Sequence, residues 1–333
     1  MRPWSALQHG YVASQVSLQY EVASDQDECE KVNVRIFHRI LALGLLMFSY
    51  TGHAQDLEPR RWAHLPTGLN FFGAGLFYIE GDIFLDPVLR IEDVEFERVG
   101  LGLGYIRSFG LFGKSARFDV SVPYASGRWE GLVDDQYTSI RRRGFGDPRL
   151  RLSVLLYGAP AQTPQEYAQS EKSNTIVGTA IALTLPTGDY LESKLMNLGD
   201  NRLIVRPQVG VTHTRRKWTF EASGSVFFFA DNKEFWGGNK LENEPVYAIQ
   251  GHVIHTFRPG LWLSLSTAYG WGYNPKLNGD PIDNPKGNWL SALSLGVPLS
   301  RTQGIKISWL HGRTQEPTGA DFQNFSLGWS VMF

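Results

Sequence analysis

The chain has 333 residues and a formal net charge of −1, with 32 Lys and Arg against 33 Asp and Glu, which removes any whole-molecule attraction for nucleic acid. Its 10 Trp, 13 Tyr, 20 Phe and 35 Gly go with a mean hydropathy of −0.22, and no apolar run reaches the about 18 residues that a membrane helix requires. A helical membrane protein is thereby excluded, and the length leaves room for one large β domain or two average ones.

In chain order, the first feature is ILALGLLMF, Ile40–Phe48, preceded by Arg35, His38 and Arg39 and followed by SYTGHA. A basic region, a short apolar core and small residues ahead of Gln55 form the pattern of a secretory signal peptide. A buried helix is the rival reading, but charges flank the run only on its N-terminal side. Residues 32–54 are therefore expected to be the signal, cut after Ala54, and residues 1–31 an over-extended start. Cys29, the single cysteine, falls in that first stretch. The exported chain, residues 55–333, then has neither a disulfide nor thiol chemistry.

From about Gly68 onward the sequence repeats one grammar, roughly ten to fourteen residues with a period of two and then a break. In KSARFDVSVPYAS, Phe118, Val120, Val122 and Tyr124 alternate with Arg117, Asp119, Ser121 and Pro123. The same alternation opposes Val205 and Val209 to Arg206 and Gln208, and Phe220 and Ala222 to Glu221 and Ser223. Twelve segments read as strands, near 68–79, 94–109, 114–126, 147–157, 175–187, 201–214, 217–230, 245–257, 261–273, 288–300, 304–315 and 323–333.

The breaks alternate in length. Those after odd segments are long and polar, such as GRWEGLVDDQYTSIRRRGFG and DNKEFWGGNKLENE, whereas those after even segments are mostly tight: GLFG, RRK, RPG and RTQG, with GAPAQTPQEYAQSEKSN the exception. Long loops at one end and short turns at the other are the mark of a transmembrane antiparallel up-and-down β-barrel of the Gram-negative outer membrane. Backbone N–H and C=O groups in hydrocarbon must pair within the protein, so a sheet can span only by closing on itself. The lipid face must then be apolar, and Arg117, Arg151, Arg206 and Glu221 are placed inward, since an outward Arg or Lys at mid-membrane costs ~2–4 kcal/mol. Aromatic residues should gather at the headgroup levels, with Trp218, Phe220 and Phe257 at short-turn ends and Tyr269, Trp271 and Tyr273 at a long-loop end. The last segment places Phe325, Leu327, Trp329, Val331 and Phe333 on one face, which a barrel closed between its last and first strands would turn to lipid.

The stretches FGKSARFDVSVPYASGRW, RRRGFGDPRLRLSVLLYGAPA, LTLPTGDY with the following NLGDNRLIVRPQVGV, and HVIHTFRPGLWLSLS resemble the MetA-pathway phenol-degradation family of outer-membrane transporters. The resemblance runs from about Leu65 to Phe333 and is most specific at Gly146–Pro160. It implies an outer-membrane location and a part in the passage of aromatic compounds, and it supplies no binding residues. The C-terminal strand ending in Phe333 likewise resembles the signal that the barrel-assembly machinery recognises.

By parity the lumen is lined by Arg117, Asp119, Arg149, Arg151, Arg206, Gln208, Glu221, Gln250, His252 and Lys306. Two readings stand. The arginines attract small carboxylates, which they can bind bidentately, or Asp119 and Glu221 neutralise them in an internal network that stabilises the barrel. Arg141, Arg142 and Arg143 are expected in the second long loop at the outer rim, either funnelling anions inward or pairing with lipopolysaccharide phosphates. No catalytic residue, cofactor or metal site is expected. His213 and His255 point outward at the short-turn end, His311 shows no serine partner on its face, and the eight histidines are scattered. GLGLG, Gly100–Gly104, lacks the strand-to-helix context of a phosphate loop. The expected partners are outer-membrane lipids, lipopolysaccharide, the assembly machinery and small solutes, with no nucleic acid. The function this predicts is a narrow, partly obstructed channel; the alternative is a structural or adhesive barrel that transports nothing.

Overall fold

The computed structural model describes residues 57–85, 91–272, 274–281 and 286–333. The expected signal segment, the first 31 residues with Cys29, and Tyr273 lie outside the described residues. Twelve strands close an antiparallel ring: β1 (Asn70–Phe84), β2 (Ile91–Leu111), β3 (Lys114–Val133), β5 (Arg149–Tyr157), β6 (Thr175–Thr184), β7 (Ile204–Arg215), β8 (Trp218–Phe229), β11 (Val246–Arg258), β12 (Leu261–Gly272), β15 (Lys286–Pro298), β16 (Gln303–Thr314) and β17 (Gly319–Met332). The seam is a full ladder of β17 against β1, from Phe71 opposite Met332 to Phe84 opposite Gly319. Beyond it, the Phe333 amide donates to the Asn70 carbonyl at 2.9 Å and the Asn70 amide to the Phe333 carbonyl at 3.0 Å. The C-terminal aromatic is thus held in the wall, with its ring outward.

The period of two sorts the side chains as a membrane requires. Phe72 and Leu76 on β1, Leu101 and Leu103 on β2, Leu265 on β12, Ile307 on β16 and Leu327 on β17 are exposed on the outer surface. Tyr269 and Trp271, at the long-loop end of β12, join Tyr247 and Trp289 in a girdle with ring centroids 5.8–5.9 Å apart. Trp218, Phe220 and Phe257 are exposed at the short-turn end. GLGLG runs through the middle of β2, and the ring of Phe77 lies against Gly100 where a Cβ would stand. That glycine serves close packing, as glycine in a strand often does.

The long-loop end is more ordered than its polar sequence suggests. Strand β4 (Gln136–Phe145) folds back on the upper half of β3 through a turn at Asp134 and Asp135, both with positive φ. Short strands β9 (Asn232–Phe235), β10 (Asn239–Asn243), β13 (Pro275–Leu277) and β14 (Asp280–Pro281) form a second small sheet. The expectation that Arg141, Arg142 and Arg143 sit in a loop is corrected: all three belong to β4. Their segment looked polar because the strands rise above the apolar band, where an outward side chain meets water and charge costs little. Glu80, Glu95, Glu97 and Arg128 stand outward at the same end.

At mid-wall the outer face must remain apolar. Leu76→Arg on β1 should therefore lower the stability of the refolded barrel by ~2–4 kcal/mol, measured by reversible denaturant unfolding in lipid vesicles. Arg in place of the outward Glu80 should change it by less than ~1 kcal/mol, because the penalty falls off near the interface.

Candidate functional site: a lumen filled by the chain's own N-terminal segment

Residues 57–69, LEPRRWAHLPTGL, precede β1 and lie inside the ring. Pro59 and Pro66 fix their own φ and disfavour helix at the residues before them, so the segment cannot coil and must find partners for its backbone in the wall. It finds them near the short-turn end. The Ser115 hydroxyl donates to the Leu65 carbonyl at 2.7 Å and the Ser108 hydroxyl to the Pro66 carbonyl at 2.6 Å. The Thr67 amide donates to the Gln162 carbonyl at 2.7 Å, in the segment that leads into helix α1 (Pro164–Gln169). His64 donates through Nε2 to the Pro160 carbonyl at 2.8 Å, and burial holds its pKa below the ordinary histidine value.

Further in, the segment meets the wall as a set of matched charges. Glu58 is buried and receives Arg151 bidentately, Nη1 to Oε2 at 2.9 Å and Nη2 to Oε1 at 2.7 Å, with Arg149 Nη2 at 3.2 Å from Oε1. Arg61 donates through Nη1 to Asp119 Oδ2 at 2.7 Å and also bonds Ser153. Asp119 is shared, with Arg117 Nε 3.4 Å from Oδ1 and Arg151 Nε 3.4 Å from Oδ2. The backbone amide of Arg60 donates to Glu221 Oε2 at 2.7 Å, and the Thr212 hydroxyl donates to Glu221 Oε1 at 3.0 Å. The Arg60 guanidinium lies 5.7 Å from the Trp262 ring and that of Arg206 4.4 Å from Phe227, distances that suit cation–π attraction. Buried charge is tolerated only where it is paired and hydrogen-bonded, and most of these groups obey. Arg117 obeys least: both its terminal nitrogens are buried with no hydrogen-bond partner among the described residues.

Trp62 seals the contact by shape. Its indole lies over Gly178 on β6 and Gly210 on β7, where an added Cβ would overlap the ring. Only a glycine lets a ring approach the wall so closely.

Toward the long-loop end the lumen turns apolar. Leu57 joins a cluster of inward residues that includes Phe77, Phe96, Trp129, Leu290 and Phe322, together with Met196 and Leu198 from the 185–203 loop. Asp147 holds that loop in place, accepting from the Gly188 amide at 2.8 Å and the Asp200 amide at 2.7 Å. The loop also bonds the end of β4, the Asp189 amide donating to the Phe145 carbonyl at 2.7 Å, and among the described strands β4 pairs only with β3. From the short-turn end a cavity of about 570 Å³ enters the barrel, lined by Lys172, Arg216, Lys217 and Arg258 and ending on Arg60 and Glu221.

Of the residues assigned inward from sequence, Arg117, Asp119, Arg149, Arg151, Arg206, Gln208, Glu221, His252 and Lys306 are buried and Gln250 is half-buried. The segment brings Asp119, Arg149, Arg151 and Glu221 together. His252 bonds Ser266 at 2.8 Å instead, and Lys306 stands within electrostatic reach of Glu58. Arg141 and Arg143 are exposed with their outward neighbours on β3, while Arg142 takes the opposite parity. Sequence reading missed Glu58, Arg60, Arg61 and Trp62, which carry no periodicity, although a charged run set among prolines ahead of the first strand was a visible signal. It also missed Ser291, which stands across the ladder from His311 on the same face. No hydrogen bond joins that pair among the described residues, so a hydrolytic dyad is not assembled. No cluster able to hold a metal occurs among the described residues.

Comparison with other proteins gives a family and a fold. Residues 88–330 match the model of a family described as the MetA-pathway of phenol degradation. An outer membrane channel from Pseudomonas putida F1 is 18% identical, with a TM-score of 0.68, over 84% of this chain and 100% of that one; at this identity the likeness is one of fold. The β domain of the Bordetella autotransporter BrkA is 10% identical, with a TM-score of 0.48, over 80% of this chain and 100% of that one. No curated protein matches the sequence.

Because Arg60 and Arg61 are buried, trypsin should spare both bonds in the folded protein in detergent while cutting the exposed Arg216–Lys217 turn. Gly210→Val should unseat Trp62 and speed cleavage after Arg61 by roughly tenfold or more, since overpacking costs ~1–3 kcal/mol. N-terminal mass mapping would show whether it does.

Proposed function

The chain belongs to the MetA-pathway phenol-degradation family, and on that premise we propose that it is an outer-membrane channel through which small aromatic or anionic solutes diffuse. The observation that carries this reading is the charge of the wall. Six buried cations on the wall strands, Arg98, Arg117, Arg149, Arg151, Arg206 and Lys306, face two buried carboxylates on those strands, Asp119 and Glu221. A purely structural network would be expected to balance within the wall, whereas this one stays cationic: the segment adds Glu58 but also Arg60 and Arg61, and the loops add Asp147 and Asp200 with Arg202. An unoccupied lumen would hold an excess of positive charge between low-dielectric walls, which concentrates anions. Twelve strands fall between the eight that side chains fill and the sixteen or more that leave an open water channel, so a lumen of this size conducts only if the segment moves aside.

Arg141 and Arg143, exposed above the apolar band, suit the phosphates of lipopolysaccharide better than a role as a funnel, because they face away from the lumen. Phe333, outward at the seam, fits recognition by the assembly machinery. The second reading, a structural or adhesive barrel, draws on the ordered strands at the long-loop end.

Planar-bilayer currents in a salt gradient separate the two. A channel with this wall should reverse at the sign of anion preference, and replacing Arg151 and Arg206 by Gln should reduce that preference. A deletion strain should take up benzoate more slowly than its parent. Unchanged permeability together with silent bilayers would leave the structural reading.

A further inference from the structure

The contacts of Leu57 and Glu58 have the form of a ligand in its site. The Glu58 carboxylate sits in a bidentate fork from Arg151 with a second guanidinium from Arg149, the arrangement by which proteins bind free carboxylates. The neighbouring Leu57 side chain belongs to the apolar cluster of the lumen, which also includes Phe96 and Leu290. Together the two residues present a carboxylate and an adjoining hydrocarbon group to a wall that is cationic below and apolar above. Both halves of this site come from wall strands, β5 for the arginines and β2 and β15 for Phe96 and Leu290, whose ladders do not include the segment.

Resting on the channel reading above, we infer that Arg149 and Arg151 with the apolar zone beside them form a binding site for amphiphilic carboxylic acids. Leu57 and Glu58 occupy it as an internal stand-in, and an incoming acid exchanges with them. The exchange is favoured by charge. Removing Glu58 alone would take from Arg149 and Arg151 the carboxylate they share, a costly loss in a buried site, whereas an acid that enters as Glu58 leaves keeps the pairing intact. Arg117, whose terminal nitrogens lack hydrogen-bond partners among the described residues, adds a donor that a free acid can use and the tethered Glu58 does not. The tether gives the stand-in an effective concentration of order millimolar, and Leu57 adds an apolar contact that a bare carboxylate cannot replace. A bare carboxylate would therefore compete poorly, and an acid carrying a ring that also replaces Leu57 would compete well. An uncharged ring would find no anion-shaped vacancy to fill.

The test is tryptic cleavage after Arg61 in the detergent-solubilised protein, normalised to cleavage at the exposed Arg216–Lys217 turn, with benzoate, acetate or benzyl alcohol at tens of millimolar. Benzoate should speed cleavage by roughly tenfold, the other two little, and Glu58→Gln should be cut rapidly without any acid, since a hydrogen-bonded charge has been lost. No benzoate effect in the wild-type protein overturns the inference, as does an equal rise with benzyl alcohol or acetate. The wild-type arms decide the matter even if the variant does not fold. Proteolysis reads the exchange without ion flow, so benzoate-dependent cleavage alongside silent bilayers would sink the channel reading and leave this site standing.

Discussion

Everything in this molecule follows from the cost of an unpaired peptide group in hydrocarbon. A sheet in a membrane has no water to satisfy its edges, so β17 must find β1. The consequence is topological: closure creates an interior that no side chain was obliged to fill. A soluble sandwich buries its apolar faces against each other, whereas here the apolar faces are turned to lipid and the inside is left with what remains.

What remains is charge, and charge inside a narrow barrel is unstable unless matched. The chain solves this with its own N-terminal segment, which places Glu58, Arg61 and the Arg60 amide against Arg151, Asp119 and Glu221. The same contacts fix where the segment lies, since they tie it to three separate strands, β3, β5 and β8. Shape adds a second restraint through Trp62 over Gly178 and Gly210. The lumen is thereby closed by interactions that water or a suitable anion could replace, unlike the backbone ladders of the wall. A part held by side chains can leave while a wall held by its backbone stays.

On the proposed channel reading, the division of the interior into a cationic and an apolar zone has a functional sense. A solute entering from one side would meet hydrocarbon and aromatic groups, from the other a basic vestibule, and between them a charged constriction. Molecules with both characters would make favourable contacts along the whole path. Simple hydrocarbons and simple ions would each lose them halfway.

The ring was legible in the sequence because a strand between lipid and lumen must alternate, and the alternation survives in Phe118 against Arg117 and Val209 against Gln208 without knowledge of any neighbour. Inward placement of Arg149, Arg151 and Arg206 came from the same rule, as did the girdle of Tyr269 and Trp271. Strand β4 was lost because the rule lapses above the bilayer, where Arg128 and Arg141 face water and outward polarity no longer signals a loop. Glu58, Arg61 and Trp62 were lost for a different reason: an irregular segment has no period, and the charged groups that hold it, Asp119, Arg151 and Glu221, lie 58, 93 and 161 residues from their partners along the chain. Local pattern thus determined which residues face lipid and how many times the chain crosses, since both are set by each strand's own surroundings. Only the tertiary structure decided what occupies the space those crossings enclose, because that depends on which distant charges the closed ring brings within hydrogen-bonding distance.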